Sequence, residues 1–280
     1  MSHVVFVYGT LLQEIGRASV LDGSTCLGPA IITASLYNLG DCPGITNDKG
    51  TVVGELYEVS PETLQQLDNI EGCHAVDGEP APMVRRNVRA HRLNDGSSCT
   101  AGAYYFDYDV DDNEFTPYIA HGDYRRFLIE RETPQWVLAY GSNLSSQRLK
   151  GRVGSLGARK LGHIPHFELV FNKQAENGSG TYANIRYAPN GQCPAVAWEL
   201  TSDQIVVLDK EYEGVPVHYL RIGLPFQTAD GTTMLAHAYI AAPGMLVEGK
   251  KPAAHYLEHL RTGYAEHGFD ASNLPIGEEP

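Results

Sequence analysis

One property of this 280-residue chain restricts its fold more than any other: it spells nearly the same pattern twice. The segment VVFVYGTLLQ (4–13) is answered by WVLAYGSNLS (136–145). Each is an apolar run that ends in Tyr-Gly, a small hydroxyl residue and a leucine. Farther on, GELYEVSPETLQQLDNIEG (54–72) is answered by AVAWELTSDQIVVLDKEYEG (195–214). Tyr57 pairs with Trp198, Leu64 with Ile205, Leu67 with Leu208 and Asp68 with Asp209, all at an offset of 141. The second copy then inserts one residue before its Glu-Gly, and AGAYYF (101–106) is answered by LAHAYI (235–240). Self-similarity at so long a period means that one structural unit is built twice. The expected domains are 1–132 and 133–280, divided at the charged, proline-containing stretch IERETPQ (129–135).

Within each copy the local chemistry specifies the elements. VVFVYG and WVLAYG are β-branched and aromatic and stop at glycine, as a buried strand entering a turn does. Ser60-Pro61-Glu62 supplies an N-cap hydroxyl, a proline at the first helical position and an acid in the first turn, and Thr201-Ser202-Asp203 repeats the scheme. Leu64 and Leu67, then Ile205 and Leu208, give each short helix one apolar face. MVRRNVRAHRL (83–93), TYANIRYAP (181–189), PAVAWEL (194–200) and HYLRIGLPF (218–226) read as strands. DYRRFLIER (123–131) and PAAHYLEHLRTGYAEHG (252–268) read as helices. Strands outnumber helices and do not alternate with them, which disfavours a doubly wound parallel sheet. The fold class expected is α+β: two tandem domains, each a small mixed barrel or curled sheet with helices outside.

Charge and composition exclude several functions. Acidic residues outnumber basic ones 34 to 21, for a net charge of −13. A general nucleic-acid or anionic-membrane binder needs clustered cations, so neither partner is expected. MSHVVFVYG has neither the basic start nor the long apolar core of a signal peptide, and no apolar run reaches membrane-spanning length; a cytoplasmic location is expected. The five cysteines lie in no CxxC pair, so neither a zinc site nor a disulfide framework is expected. DYDVDDNEF (107–115) lacks the glycine and closing glutamate of a calcium loop. His255 and His259 on the last helical segment have no acidic partner at metal-site spacing and read as surface groups. GRVGSLG (151–157) matches no phosphate-loop or dinucleotide pattern.

Two places remain where chemistry can reside. A strand that breaks at glycine leaves backbone N–H groups pointing one way, and such a nest suits a carboxylate or an oxyanion. Gly9 and Gly141 would permit unusual dihedrals there, while Thr10, Ser142 and Asn143 add polar side chains. Glu71 and Glu213 each end a short helix against a glycine, where a negative charge opposes the helix dipole. A glutamate shielded from water there would have a raised pKa and could accept a proton. An ordinary strand end and a solvent-facing terminal acid are the structural alternatives.

These motifs together resemble the γ-glutamylcyclotransferase-like superfamily. The likeness rests on YGTLL, SLYNLGDCPGI (35–45), GELYEV and LDNIEG in copy one. In copy two it rests on YGSNL, LGHIPHFELVFN (161–172), ANIRYAPNGQCPAVAWEL (183–200) and EGVPVHYLR (213–221), so it covers nearly the whole chain. The resemblance implies that the YG loop holds a γ-glutamyl group and that a glutamate after the LD pair is the general base. The freed α-amine would attack the γ-carbonyl and release 5-oxoproline and an amine, with no metal or organic cofactor. Carried over, the loop residues are Tyr8, Gly9, Thr10 and Leu11 in copy one and Tyr140, Gly141, Ser142 and Asn143 in copy two. The bases are Glu71 and Glu213. Tyr108 matches a substrate-contacting tyrosine of the family, whereas copy two has Pro243 there. The extra residue leaves Glu211 as a competitor for Glu213. The flanks of copy two match better, since copy one lacks the VP…Y…R pattern after its EG. The partner expected is a small γ-glutamyl molecule, and the chain is expected to be a monomer of two pseudo-symmetric domains. The alternative is a binding protein that keeps its carboxylate-holding loops without turnover in one or both copies.

Overall fold

The structure is a computed structural model that describes residues 2–73, 83–106, 117–175, 178, 180–272 and 274–275. The chain divides into two compact units, Met1–Phe127 and Leu128–Pro280. Unit 1 contains β1 (His3–Val7), β2 (Thr25–Asn38), β3 (Pro43–Val59), α1 (Pro61–Ile70), β4 (Met83–Arg92) and β5 (Ser98–Phe106). Helix α2 (Tyr124–Glu130) carries the boundary. Unit 2 contains β6 (Gln135–Ala139), α3 (Ser146–Val153), β7 (Arg159–Gln174), β8 (Thr181–Leu200), α4 (Ser202–Val207), β9 (Tyr219–Thr228), β10 (Thr233–Ala241) and α5 (Ala254–His267).

Each unit is a closed five-stranded barrel, and the strand order is the same. Unit 1 runs β1-β3-β2-β4-β5 and unit 2 runs β6-β8-β7-β9-β10, each closing on itself. The closing pairs are parallel, Val5 beside Gly102 and Val137 beside His237, and the other pairs are antiparallel. Closure leaves no unpaired sheet edge. Phe6, Ile32, Leu36, Leu56 and Tyr104 fill the first barrel, and the first strand of unit 2 packs Val137 and Ala139 against Val196, Trp198 and Tyr239. The architecture is the tandem α+β arrangement expected from the repeat.

The helix starts obey the sequence signals. Ser60 Oγ accepts the Thr63 N–H at 3.1 Å, with Pro61 at the first helical position. Thr201 and Gln204 form a reciprocal capping box. Two elements differ from expectation. TYANIRYAP and PAVAWEL belong to one twenty-residue strand, β8, whose register against β7 shifts between Pro165 and Phe167. Helix α3 carries little apolar signal: it buries Leu149, with Val153 packed four residues on, among polar residues and a glycine, and so it escapes a reading based on hydrophobic spacing.

A buried ion pair ties down the chain just past the first YG turn. Arg125 Nη1 lies 2.8 Å from Glu55 Oε1, with both side chains under a tenth exposed. Arg125 also donates to the Gln13 carbonyl, and Glu55 accepts from the Gln13 N–H and from the Tyr57 hydroxyl. Removing one member of such a pair strands a buried charge, which costs about 3–5 kcal/mol. Arg125→Met is therefore expected to lower unit 1 stability by about that amount, read as a lower urea midpoint of its unfolding transition.

Candidate active site

The YG turns have the same construction in both units. The Leu12 N–H donates to the Gly9 carbonyl and the Leu144 N–H to the Gly141 carbonyl, both at 3.0 Å. In unit 2 this closes a three-residue 3-10 turn, Ser142–Leu144, that begins at the glycine. The opening N–H groups of such a turn have no partner inside it. Tyr8 donates to the Tyr104 carbonyl, and Tyr140 to the Tyr239 carbonyl, so each tyrosine hangs from the last strand of its own barrel. Neither glycine has a positive φ, and Gly141 lies outside the helical and extended regions, at φ −107° and ψ −139°. A Cβ on Gly9 would lie 2.6 Å from Pro43 Cγ, and one on Gly141 would lie 3.0 Å from Ala183 Cβ. Close approach, not a left-handed backbone, requires them.

The LD aspartates fasten each helix to its barrel. Asp68 accepts from Arg85 Nε at 2.7 Å and from the Tyr104 hydroxyl at 2.8 Å. Asp209 accepts from Arg221 Nε at 3.0 Å and from the Tyr239 hydroxyl at 2.8 Å. The glutamates follow immediately. Glu71 caps α1 with its N–H on the Leu67 carbonyl, four residues back. Glu213 makes the corresponding bond to the Leu208 carbonyl, five residues back, at the end of a π-turn over Leu208–Tyr212. The extra residue is therefore absorbed inside the helix as one wide turn. Glu213, not Glu211, reaches the place that Glu71 occupies in unit 1.

Each glutamate shares a cavity with its own turn. In unit 1 a cavity of about 240 Å³ is lined by Tyr8, Gly9, Thr10, Leu11 and Glu71, with Arg17, Cys42 and the apolar Leu39, Pro43, Ile70, Met83 and Phe106. In unit 2 a cavity of about 470 Å³ is lined by Tyr140, Gly141, Ser142, Asn143 and Glu213. Small-molecule sites usually span roughly 300–1,000 Å³, so only the second is of ordinary substrate size. Burial raises the pKa of both glutamates, opposed by Arg17 in unit 1 and chiefly by Arg152 in unit 2. Asn143 Nδ2 donates to Glu213 Oε1 at 3.0 Å, and Arg152 Nη1 lies 3.2 Å from the same oxygen. Unit 1 has Leu11 in the position of Asn143, so Glu71 lacks that donor. Tyr108 lies outside the described residues. Among the described residues no group of three or more His, Cys, Asp or Glu side chains could hold a metal ion.

Residues 5–126 match the family model "Gamma-glutamyl cyclotransferase, AIG2-like". The first barrel matches this family over nearly its whole length, and the second repeats its strand order. A Vibrio cholerae relative is 41% identical over 73 residues, 25% of this chain and 64% of its own length. The Escherichia coli (strain K12) γ-glutamylcyclotransferase family protein YtfP is 38% identical over 65 residues, 23% of this chain and 58% of its own. The chain thus spans less than two thirds of these bacterial relatives. The mouse protein named γ-glutamylcyclotransferase is 28% identical over 136 residues, 47% of this chain and 70% of its own. Among solved structures, YkqA from Bacillus subtilis aligns over 97% of this chain and 94% of its own, with a TM-score of 0.70 at 19% identity. That likeness concerns the fold and includes both barrels.

Several residues of the unit 2 site escaped the sequence reading. Arg148 and Arg152 lie four apart on α3, on one helical face, and both line the unit 2 cavity. Lys173 is 2% exposed, with its ammonium 5.2 Å from the Tyr182 ring and 5.3 Å from the Tyr219 ring. A lysine closing an apolar strand was its only signal. Helix α5 brings Tyr256, whose hydroxyl accepts the Ala183 N–H at 2.9 Å. It also brings His255, exposed as the sequence suggested, and the half-buried His259 to the cavity rim. The helix crosses the turn at Gly263, where a Cβ would lie 2.4 Å from Leu144 Cβ.

The π-turn yields a test. Deleting a residue from a regular helix turns everything after it by ~100°. Deleting Lys210 instead converts the wide turn to the spacing of Leu67–Glu71. The deletion variant is expected to unfold within a few degrees of the parent by circular dichroism, a few degrees being the shift for about 1 kcal/mol in a domain of this size. A deletion of Val206, in the regular turn before it, is expected to be far more destabilising.

Proposed function

We propose that unit 2 is a 5-oxoproline-forming γ-glutamylcyclotransferase site with Glu213 as general base. The observation that carries this reading is Glu213 buried in one cavity with the Gly141–Asn143 turn and held by Asn143. The γ-glutamyl group binds at the turn. Glu213 takes a proton from the substrate's α-ammonium group and frees its lone pair. The nitrogen attacks the γ-carbon, and the developing oxyanion lies at the opening amides of the turn, where fixed dipoles are most effective. Collapse breaks the γ-amide bond as Glu213 returns its proton to the departing amine, and the new ring nitrogen gives up its second proton, by way of the Glu213 carboxylate, to solvent or to the released amine. The attack closes a five-membered ring, so holding one conformer supplies much of the rate. Tyr140 acts as a wall of the site, since its hydroxyl is committed to the Tyr239 carbonyl.

For unit 1 a second reading has its own support. The smaller cavity and Leu11 in place of the asparagine favour a γ-glutamyl or carboxylate-binding site with little turnover. If unit 1 does turn over, Glu71 is its base, with Tyr8, Gly9, Thr10 and Leu11 forming the loop. Small γ-glutamyl compounds are the proposed ligands of both units.

Incubating the chain with γ-glutamyl dipeptides and γ-glutamyl amines should release 5-oxoproline, detected by mass spectrometry. Glu213→Gln should lower that rate by about 10²–10⁴-fold, the worth of a positioned general base, with the fold intact. Glu71→Gln should leave most of it. If the Glu213→Gln protein keeps full activity, the assignment fails. The base must be ionised to act, and burial raises its pKa. Activity should therefore be lost as pH falls through a value above the ordinary glutamate pKa of about 4.3, read as the acid limb of kcat/KM.

A further inference from the structure

The unit 2 cavity is basic in a chain that is strongly acidic overall. Arg148, Arg152 and Lys173 line it against two carboxylates, Glu211 and Glu213. Arg152 is already engaged, donating to Asn143 Oδ1 at 2.9 Å as well as to Glu213. Arg148 differs. Among the described residues it forms no ion pair, and its Nε is buried without a hydrogen-bond partner. Among the described residues its side chain makes one hydrogen bond, Nη1 to His259 Nε2 at 3.1 Å, while its backbone N–H donates to Ser145 Oγ. A guanidinium only donates, so that ring nitrogen carries no proton and His259 is neutral. Burial and the two arginines favour that neutral form, and burial together with Arg152 works against the charge on Arg148 itself. Glu213 and Tyr256 act the other way, but a half-buried cation beside a like charge, with one buried donor unmet, is a costly arrangement that an anion would relieve.

The position of Arg148 indicates which part of a substrate that anion belongs to. Arg148, Arg152, Tyr212 and His259 line both the deep cavity and an adjoining outer pocket, which also has Ser145 and Gln147 in its wall. Arg148 thus stands where the site continues outward from the turn and from Glu213. On the reading above, the γ-glutamyl half occupies the turn and the departing amine points outward. Unit 1 offers no such feature, since Arg17 is the only cation lining its cavity among the described residues.

We propose that Arg148 receives an anionic group on the amine half of the substrate, so that unit 2 selects γ-glutamyl conjugates of acidic amines, those bearing a side-chain carboxylate or a phosphate. Arg148 is a specificity residue in this scheme and takes no part in proton transfer. The inference rests on the γ-glutamyl reading, and the test separates the two.

The comparison uses γ-glutamyl-glutamate and γ-glutamyl-glutamine, which differ in one charge, with γ-glutamyl-O-phosphoserine as the phosphate arm. All are assayed in a Glu71→Gln background. The acidic substrate is expected to have kcat/KM at least about tenfold above the neutral one, the scale of one charge-assisted hydrogen bond. A larger value for the phosphoserine conjugate would identify phosphate as the preferred anion. In Arg148→Met that ratio is expected to fall to near one, and Arg148→Lys is expected to recover part of it. Equal values for the acidic and neutral pair in the parent, or a preference that survives Arg148→Met, would overturn the proposal. Calorimetry on the Glu213→Gln protein reads the same preference as binding, without turnover. If no substrate yields 5-oxoproline but the acidic ligand still binds more tightly, and loses that advantage in Arg148→Met, the cyclotransferase reading fails and the anion site stands.

Discussion

The arrangement depends on a fixed aspartate. A glutamate at the end of a short helix would ordinarily face water, because water solvates its charge and the helix dipole repels it. In both units the preceding Asp, Asp68 or Asp209, is clamped by an arginine and a tyrosine from the last two strands of the barrel. The clamp holds the final turn of the helix against the barrel mouth. The next carboxylate has little choice of direction, and it meets the end of the first strand. The same tyrosines, Tyr104 and Tyr239, offer their carbonyls to Tyr8 and Tyr140. One residue of the closing strand therefore positions both the helix and the turn, through opposite ends of itself.

Most of the scaffold is legible in the sequence because it is written in local chemistry. The strands declare themselves by β-branched runs that end at glycine, and the helix starts by Ser60-Pro61 and by Thr201 with Gln204. The duplication carries each barrel strand and the capped helix over from one copy to the other. What escaped has physical reasons. Helix α3 offers only Leu149 and Val153 to the core, too few apolar positions to mark a helix by spacing. The π-turn is an insertion in the sequence, and only its hydrogen bonds reveal that Glu213 keeps its place. The glycines of the YG turns are crowded by Pro43 and Ala183, contacts that only the closed barrels create.

The polar lining of the second cavity was the least legible part. Arg148, Lys173 and His259 are separated by up to 111 positions and converge only because the barrel closes and α5 folds back over it. Glu71 and Glu213 could be paired from the repeat alone. The contrast between an apolar small cavity and a basic larger one could not, since the repeat concerns what the copies share. Duplication preserved the scaffold and left the walls free to diverge.

Gly263 carries that divergence further. Its missing side chain lets the last helix lie directly on Leu144, and His267 of the same helix bonds the Leu144 carbonyl. The geometry of a three-residue turn at the start of unit 2 is thus underwritten some 120 positions later. Damage to this helix, by cleavage or by a bulky replacement at that one contact, would reach the turn and the cavity it lines without altering any residue of the turn. In the second barrel, chemical competence and the integrity of the chain's far end are inherited together.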